Sequence, residues 1–258
     1  MVTAIIQARM GSTRLQGKVL KKVLGKTMLE YQIERVKRAK TINQIILATT
    51  TNSENKKIIQ LAQKLKVRAF AGSENDVLDR YYQAATRFGI DDVIVRLTGD
   101  CPLTDPNIID RVVRFYLKNK KSCQYANNVD PPTFPDGMDV EVFSFNILKE
   151  AWQKADLLSE REHVTPYIRN HPEKFKIKNL KSRKDLSRPR LVLDNKEDFI
   201  LIGKIFTALY PKNKNFDLED ILEFLKKNSK LILINSHIQR NEGMLKSLRI
   251  DRKINRSF

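Results

Sequence analysis

Two glycines and three cations follow an apolar segment at the start of the chain. Residues 3–8 (Thr-Ala-Ile-Ile-Gln-Ala) lead into Arg9, Gly11, Ser12, Arg14, Gly17 and Lys18. Glycine lets a main chain approach a ligand closely, and successive backbone N–H groups in such a loop form an anion cradle. Arginine and lysine add charge-assisted hydrogen bonds to phosphate or carboxylate. The expected occupant is a triphosphate, met by the main chain of the loop around Gly11 and Ser12 and by the charges of Arg9, Arg14 and Lys18. The spacing is not that of a Walker A loop, which needs four residues between its glycines and Ser or Thr after its lysine. Here five residues separate Gly11 from Gly17, and Val19 follows Lys18.

Two aspartates are placed to face that loop. Asp100 follows Arg96-Leu-Thr-Gly99, and Asp194 follows Arg190-Leu-Val-Leu193, each after an apolar run that reads as a buried strand. In open parallel sheets, ligands bind beyond the carboxyl ends of the strands. Magnesium takes hard oxygen ligands, one or two carboxylates plus phosphate oxygens, so Asp100 and Asp194 are the expected Mg2+ ligands. The competing expectation for each is a helix cap. Asp105, directly before Pro106, is the better cap for the next helix, while Asp194 lies two residues before one. Cys101 reads as a small buried hydrophobe rather than a nucleophile.

A second cluster is expected to receive an acceptor. Asp139 and Glu141 alternate on one strand and so share a face, which reads equally as a binding face for sugar hydroxyls and as a solvated one. His163 lies in a predicted helix, where a structural histidine is the competing reading to an acceptor contact or a base, and Arg169, Arg188 and Arg190 are available to pair with an acceptor carboxylate or phosphate.

The elements that must position these residues alternate. Apolar segments at 3–8, 44–49, 67–71 and 92–97 read as strands, with amphipathic helices expected at 28–39, 54–65, 76–88 and 106–117. Such alternation predicts an α/β fold: a three-layer αβα, mostly parallel, doubly wound sheet. The rhythm changes at 122. A turn-rich stretch over 128–138 precedes a strand at 139–143, helices near 145–156 and 159–170, a strand at 174–180, a strand at 190–193 and helices at 196–209 and 217–227. The domain expectation is one unit over 1–228 with an inserted α+β lobe at about 122–188, and a basic C-terminal extension over 229–258 that either docks or stays mobile.

Composition narrows the class. No apolar run approaches the ~20 residues of a membrane-spanning helix, no signal-peptide pattern opens the chain, and two cysteines make no disulfide framework. A cytoplasmic protein without a membrane partner is expected. The formal net charge is +18, which raises the prior for polyanionic partners. Yet the cations are spread: residues 1–40 hold ten against two carboxylates, and 229–258 hold seven against two. A dedicated nucleic-acid face is therefore not the expected reading.

At this point five segments resemble one family. Ile5 to Leu20, Gly72 to Tyr81, Leu97 to Leu103, Arg161 to Tyr167 and Arg190 to Phe199 resemble, in order, segments of the sugar-acid cytidylyltransferases, the acylneuraminate and octulosonate enzymes. They are most similar to the spore coat polysaccharide biosynthesis branch. The resemblance implies a nucleotide-diphospho-sugar transferase-like fold and transfer of CMP from CTP to a sugar acid or related small anionic acceptor, with release of pyrophosphate, in surface glycan synthesis. It implies that Arg9, Arg14 and Lys18 hold the triphosphate, that Asp100 and Asp194 bind magnesium, and that Ala8, Thr49 and Ser73 border the cytosine. Arg9, Lys18 and Asp100 are then the catalytic residues, Asp139, Glu141, His163 and Arg190 the acceptor-binding ones, and the inserted lobe the contact of a homodimer. Gln16 departs from the proline usual in this branch, which loosens the loop without removing charge. Two other classes remain as alternatives: a nucleotide-sugar-dependent glycosyltransferase, whose Asp-x-Asp is missing at Gly99-Asp100-Cys101, and a basic nucleic-acid-binding protein.

Overall fold

A computed structural model describes residues 1–254. Strand β1 (Val2–Gln7) leads through the glycine-bearing loop to a short hairpin, β2 (Lys22–Val23) and β3 (Lys26–Thr27). Helix α1 (Met28–Lys37) starts at a capping box: Thr27 Oγ1 accepts from the Glu30 N–H, and the Glu30 carboxylate accepts from the Thr27 N–H. The alternation continues with β4 (Gln44–Thr50), α2 (Lys56–Lys64), β5 (Arg68–Gly72), α3 (Val77–Arg87), β6 (Val93–Thr98) and α4 (Pro106–Lys118). Asp105 caps α4, accepting from the N–H groups of Asn107 and Ile108. Next come β7 (Tyr125–Asn127), β8 (Glu141–Ser144), α5 (Phe145–Lys154), α6 (Leu158–His163), α7 (Pro166–Asn170) and β9 (Ile177–Asn179), then α8 (Lys196–Leu209), α9 (Leu218–Lys227) and α10 (Glu242–Ile254).

Seven strands form one sheet in the order β5-β4-β1-β6-β8-β7-β9. The first four are parallel, and β8 runs antiparallel to both β6 and β7. Parallel strands covered on both faces must be apolar on both. Ala4 and Ile6 of β1 therefore join one core with α1, α4 and α8, while Ile5 joins a second core with α3 and α5. The result is a three-layer αβα fold. Residues 122–188 contribute β7, β8 and β9 to this same sheet. Among the described residues, no helix is long and apolar enough to cross a membrane.

Three details differ from the sequence expectations. Residues 190–193 are buried and extended but form no sheet strand; Arg190 makes one isolated bridge to Asp136. The free side of β6 is already taken by β8, so Leu191 and Leu193 donate instead to the carbonyls of Asp136 and Asp100. The helix expected over 159–170 breaks at Val164, whose φ is +72°, and restarts at Pro166, which opens α7 at the first helical position, where its missing N–H is not needed. Asp139 precedes β8 rather than lying in it.

The C-terminal extension docks. A 3-10 turn over 229–234 is followed by the buried Asn235, and α10 packs on α6, where the Asp251 carboxylate accepts from the Ser159 N–H. Residues 255–258 of the expected extension lie outside the described residues.

Candidate active site

Strands β1 and β6 end side by side, and the loops beyond them converge. The Gly99 N–H donates to the Gln7 carbonyl at 2.7 Å. A Cβ at position 99 would lie 2.6 Å from that oxygen and 2.8 Å from Ala8 Cβ, so only glycine permits this approach. Gly17 turns the first loop at φ +61°, delivering Lys18 into the 3-10 turn 18–20. A cavity of about 710 Å³ opens beyond these strand ends. Its walls include Ala8, Arg9, Gly11, Ser12, Arg14 and Lys18 from the first loop, Asp100 and Asp194 opposite, and Asp139, Glu141, His163 and Arg190 farther along. Thr49 and Ser73 lie outside this lining: Thr49 is fully buried at the end of β4, and Ser73 Oγ accepts from the Asp76 N–H.

Lys18 is the centre of the charge arrangement. Its Nζ donates to Asp100 Oδ2 at 2.9 Å and to Asp194 Oδ1 at 2.5 Å. Burial pulls the ammonium's pKa down, but the two carboxylates outweigh it and hold it above the ordinary lysine value. Burial likewise raises Asp100, yet Lys18 brings it down to about 2, so both groups are charged at neutral pH. Arg14 pairs with Asp194 at 3.1 Å and with Glu242 at 3.4 Å, and Arg9 faces Glu74 at 3.6 Å. Asp194 does not cap α8; the Asp198 carboxylate accepts from the N–H groups of Asp194 and Asn195. Cys101 is buried, and burial pushes its thiol well up, which removes it as a thiolate nucleophile.

Asp100 and Asp194 suit a hard divalent cation. Their oxygens converge on one point, where a positive charge, the Lys18 ammonium, already sits. Among the described residues no three His, Cys, Asp or Glu side chains gather as a metal site. Phosphate oxygens would have to complete the coordination, as is usual for magnesium.

At the far end, Glu141 is fixed by Arg96, by the Tyr125 hydroxyl and by Thr165 Oγ1, the last at 2.6 Å. Burial raises its pKa, but Arg96 and Arg169 outweigh that and hold it below the ordinary glutamate value. The stability this carboxylate contributes is fully present above pH 4.5, its unperturbed value, and is lost as pH falls through its lower folded value. Glu141→Gln keeps an acceptor for Arg96 but loses the charge, and is expected to cost about 2–3 kcal/mol at pH 7. The penalty shrinks in acid. Urea unfolding of both proteins at pH 7 and pH 4 checks this, and a penalty that stays constant with pH would refute it.

Asp139 receives a 2.7 Å hydrogen bond from Arg240 Nη2, and burial pushes its carboxyl up to about 7 against that pull. His163 Nε2 lies 3.2 Å from Ser247 Oγ, and burial lowers its pKa. The Arg190 guanidinium contacts Asp136, Asp194 and Asp198. Several lining residues carried no local signal in the sequence: Arg96, Asp136, Arg240 and Ser247. The last two come from the C-terminal segment, about 100 positions from Asp139 and 84 from His163.

The αβα sheet, with its cavity beyond the carboxyl ends of the parallel strands, has the nucleotide-diphospho-sugar transferase fold, and the charges facing that cavity suit a nucleotidyltransferase. A solved cytidylyltransferase from Leptospira borgpetersenii serovar Hardjo-bovis superposes with a TM-score of 0.85 at 38% identity, covering 90% of this chain and 96% of that one. The chain belongs to the cytidylyltransferase family, whose profile matches residues 3–249. The protein MJ1063 of Methanocaldococcus jannaschii is 41% identical over 243 residues, 92% of this chain and 96% of that protein. The spore coat polysaccharide biosynthesis protein SpsF of Bacillus subtilis is 34% identical over 215 residues, 81% of this chain and 85% of that one.

Proposed function

We propose that this protein is a magnesium-dependent cytidylyltransferase that transfers CMP from CTP to a sugar acid or related small anionic acceptor, in the cytoplasm, for surface glycan synthesis. The observation that carries this reading is the convergence of Arg9, Arg14 and Lys18 with Asp100 and Asp194 on one cavity. Arg9, Arg14 and Lys18 bind the triphosphate and offset the charge that grows on pyrophosphate as it leaves. Asp100 and Asp194 would hold a divalent cation, whose chemistry there would be to neutralise phosphate charge. Asp139, Glu141 and His163 border the space left for the acceptor, whose hydroxyl is positioned rather than activated by a covalent intermediate. Ala8 bounds the nucleotide end. The acceptor is assigned as a sugar acid from the resemblance of the five motif segments, and surface glycan synthesis from the likeness to SpsF.

Thermal unfolding with CTP, ATP, GTP, UTP and TTP, each with and without Mg2+, tests the reading. A ligand that binds only the native state stabilises it by mass action, by about 2.7 kcal/mol at a hundredfold excess over Kd. For a chain of this size that raises Tm by about 5–10 °C. The expected result is a shift with CTP that falls when Mg2+ is withheld. A shift with another nucleotide alone would reassign the donor, and no shift with any would end the proposal.

A further inference from the structure

Three of the four carboxylate oxygens of Asp100 and Asp194 are held by cations. Lys18 Nζ takes Asp100 Oδ2 and Asp194 Oδ1, while Arg14 at 3.1 Å and Arg190 at 3.4 Å take Asp194 Oδ2. Lys18 and Arg14 come from the same glycine loop and are two of the three charges that a triphosphate would attract. Among the described residues no third His, Cys, Asp or Glu side chain joins them in a group that could hold a metal. A free divalent ion arriving at this site therefore meets two carboxylates whose charge is already offset, with no further protein ligand to compensate for its lost hydration.

We propose that Lys18 and Arg14 form a latch on the metal site, closed to a free divalent cation and opened by the nucleotide's phosphates. The inference rests on the reading of the cavity as a triphosphate site. The exchange is of like for like. Lys18 and Arg14 leave carboxylate oxygens for phosphate oxygens, so their charges stay paired while Asp100 and Asp194 become free to ligate. Arg190 stays behind, tied to Asp136 and Asp198, and keeps Asp194 aimed at the cavity. Lys18 thus has two partners in succession, and the consequence is an order of binding: the metal enters with the nucleotide or after it, never before. Two carboxylates alone would otherwise attract any divalent ion, and a metal bound without nucleotide would occupy the place where the phosphates must bring theirs.

Mn2+ binding followed by electron paramagnetic resonance tests the latch without an acceptor and without turnover. The wild type alone is expected to show no stoichiometric Mn2+ site, and to gain one in the presence of CTP beyond the CTP-only control. Lys18→Met removes the resident charge and is expected to bind free Mn2+ at least about tenfold more tightly than the wild type, because an opposing unit charge at contact distance is gone. Lys18→Arg keeps the charge and stays closed. The site gained in Lys18→Met must vanish in Lys18→Met/Asp100→Asn. Circular dichroism verifies each variant's fold, and Lys18→Gln carries the same comparison should the methionine variant not fold. Equal free-Mn2+ affinity in the wild type and a folded uncharged variant would overturn the latch. Failure of CTP to bind the wild type would instead overturn the proposed function, and the nucleotide-free comparison would still decide the latch.

Discussion

Asp100→Asn is expected to lower the proposed magnesium-dependent CMP transfer by about 10³-fold or more while the protein stays folded. The size follows from the charge arrangement. Metal-assisted transfer draws several kcal/mol of transition-state stabilisation from the bound cation, and each 1.36 kcal/mol is worth about tenfold in rate. In the proposed metal site Asp100 is one of the two carboxylates that Lys18 holds, so its loss would halve the protein's share of the coordination. Asparagine keeps the shape and an acceptor oxygen for Lys18 Nζ, which in any case retains Asp194 at 2.5 Å. The folding cost is the lost ion pair, about 2 kcal/mol, or roughly 4–8 °C in Tm. Pyrophosphate release from CTP with an acceptor drawn from a panel of sugar acids measures the first quantity, and thermal unfolding measures the second. Turnover within tenfold of wild type would remove Asp100 from the metal site. A variant that does not fold would make Asp100 a structural residue.

The sheet and the first loop were legible because their causes are local. A parallel strand buried on both faces must be a continuous apolar run, and residues 3–8, 44–49 and 92–97 are such runs; Asp105 before Pro106 is a cap that needs no knowledge of the rest of the chain. Residues 190–193 show where this reasoning stops. They are as apolar as β1, but a strand exists only where a neighbour offers an unpaired edge, and β8 had taken the edge of β6. The end of the cavity proposed for the acceptor was only half legible for the same reason. Asp139 and Glu141 stand close in sequence, whereas Arg240, which neutralises Asp139, arrives from 101 residues away. The segment that carries it read only as a basic extension, since the partners that tie Asn235, Arg240, Ser247 and Asp251 to the rest of the fold (Asp198, Asp139, His163 and Ser159) are distant in sequence. Thr49 and Ser73 entered through family resemblance alone, and neither lines the cavity.

Arg190→Ala is expected to cost about 3–5 kcal/mol of stability, the usual loss when one partner of a buried ion pair is removed. The guanidinium spends four of its five N–H donors on three carboxylates: Nε on Asp198 Oδ1 at 3.0 Å, Nη1 on Asp136 Oδ2 at 2.9 Å, and Nη2 on Asp198 Oδ2 and Asp194 Oδ2 at 3.2 and 3.4 Å. Asp198 is fully buried and also holds the start of α8 and the Asn235 side chain. Without Arg190, three carboxylates face one another in a poorly solvated space, and their pKa values must rise. A carboxylate whose folded pKa is raised is most stable when protonated, so stability is lost as pH rises from the unfolded value towards the new folded one. The penalty of Arg190→Ala is therefore expected to be larger at pH 8 than at pH 5. Arg190→Lys should recover only part of it, because one ammonium cannot reproduce a planar fork between three partners. Urea unfolding of the three proteins at both pH values decides the matter. A loss below about 1 kcal/mol together with impaired acceptor use would assign Arg190 to the acceptor. The expected result assigns it first to holding Asp194 in place, with one N–H left to turn towards a ligand.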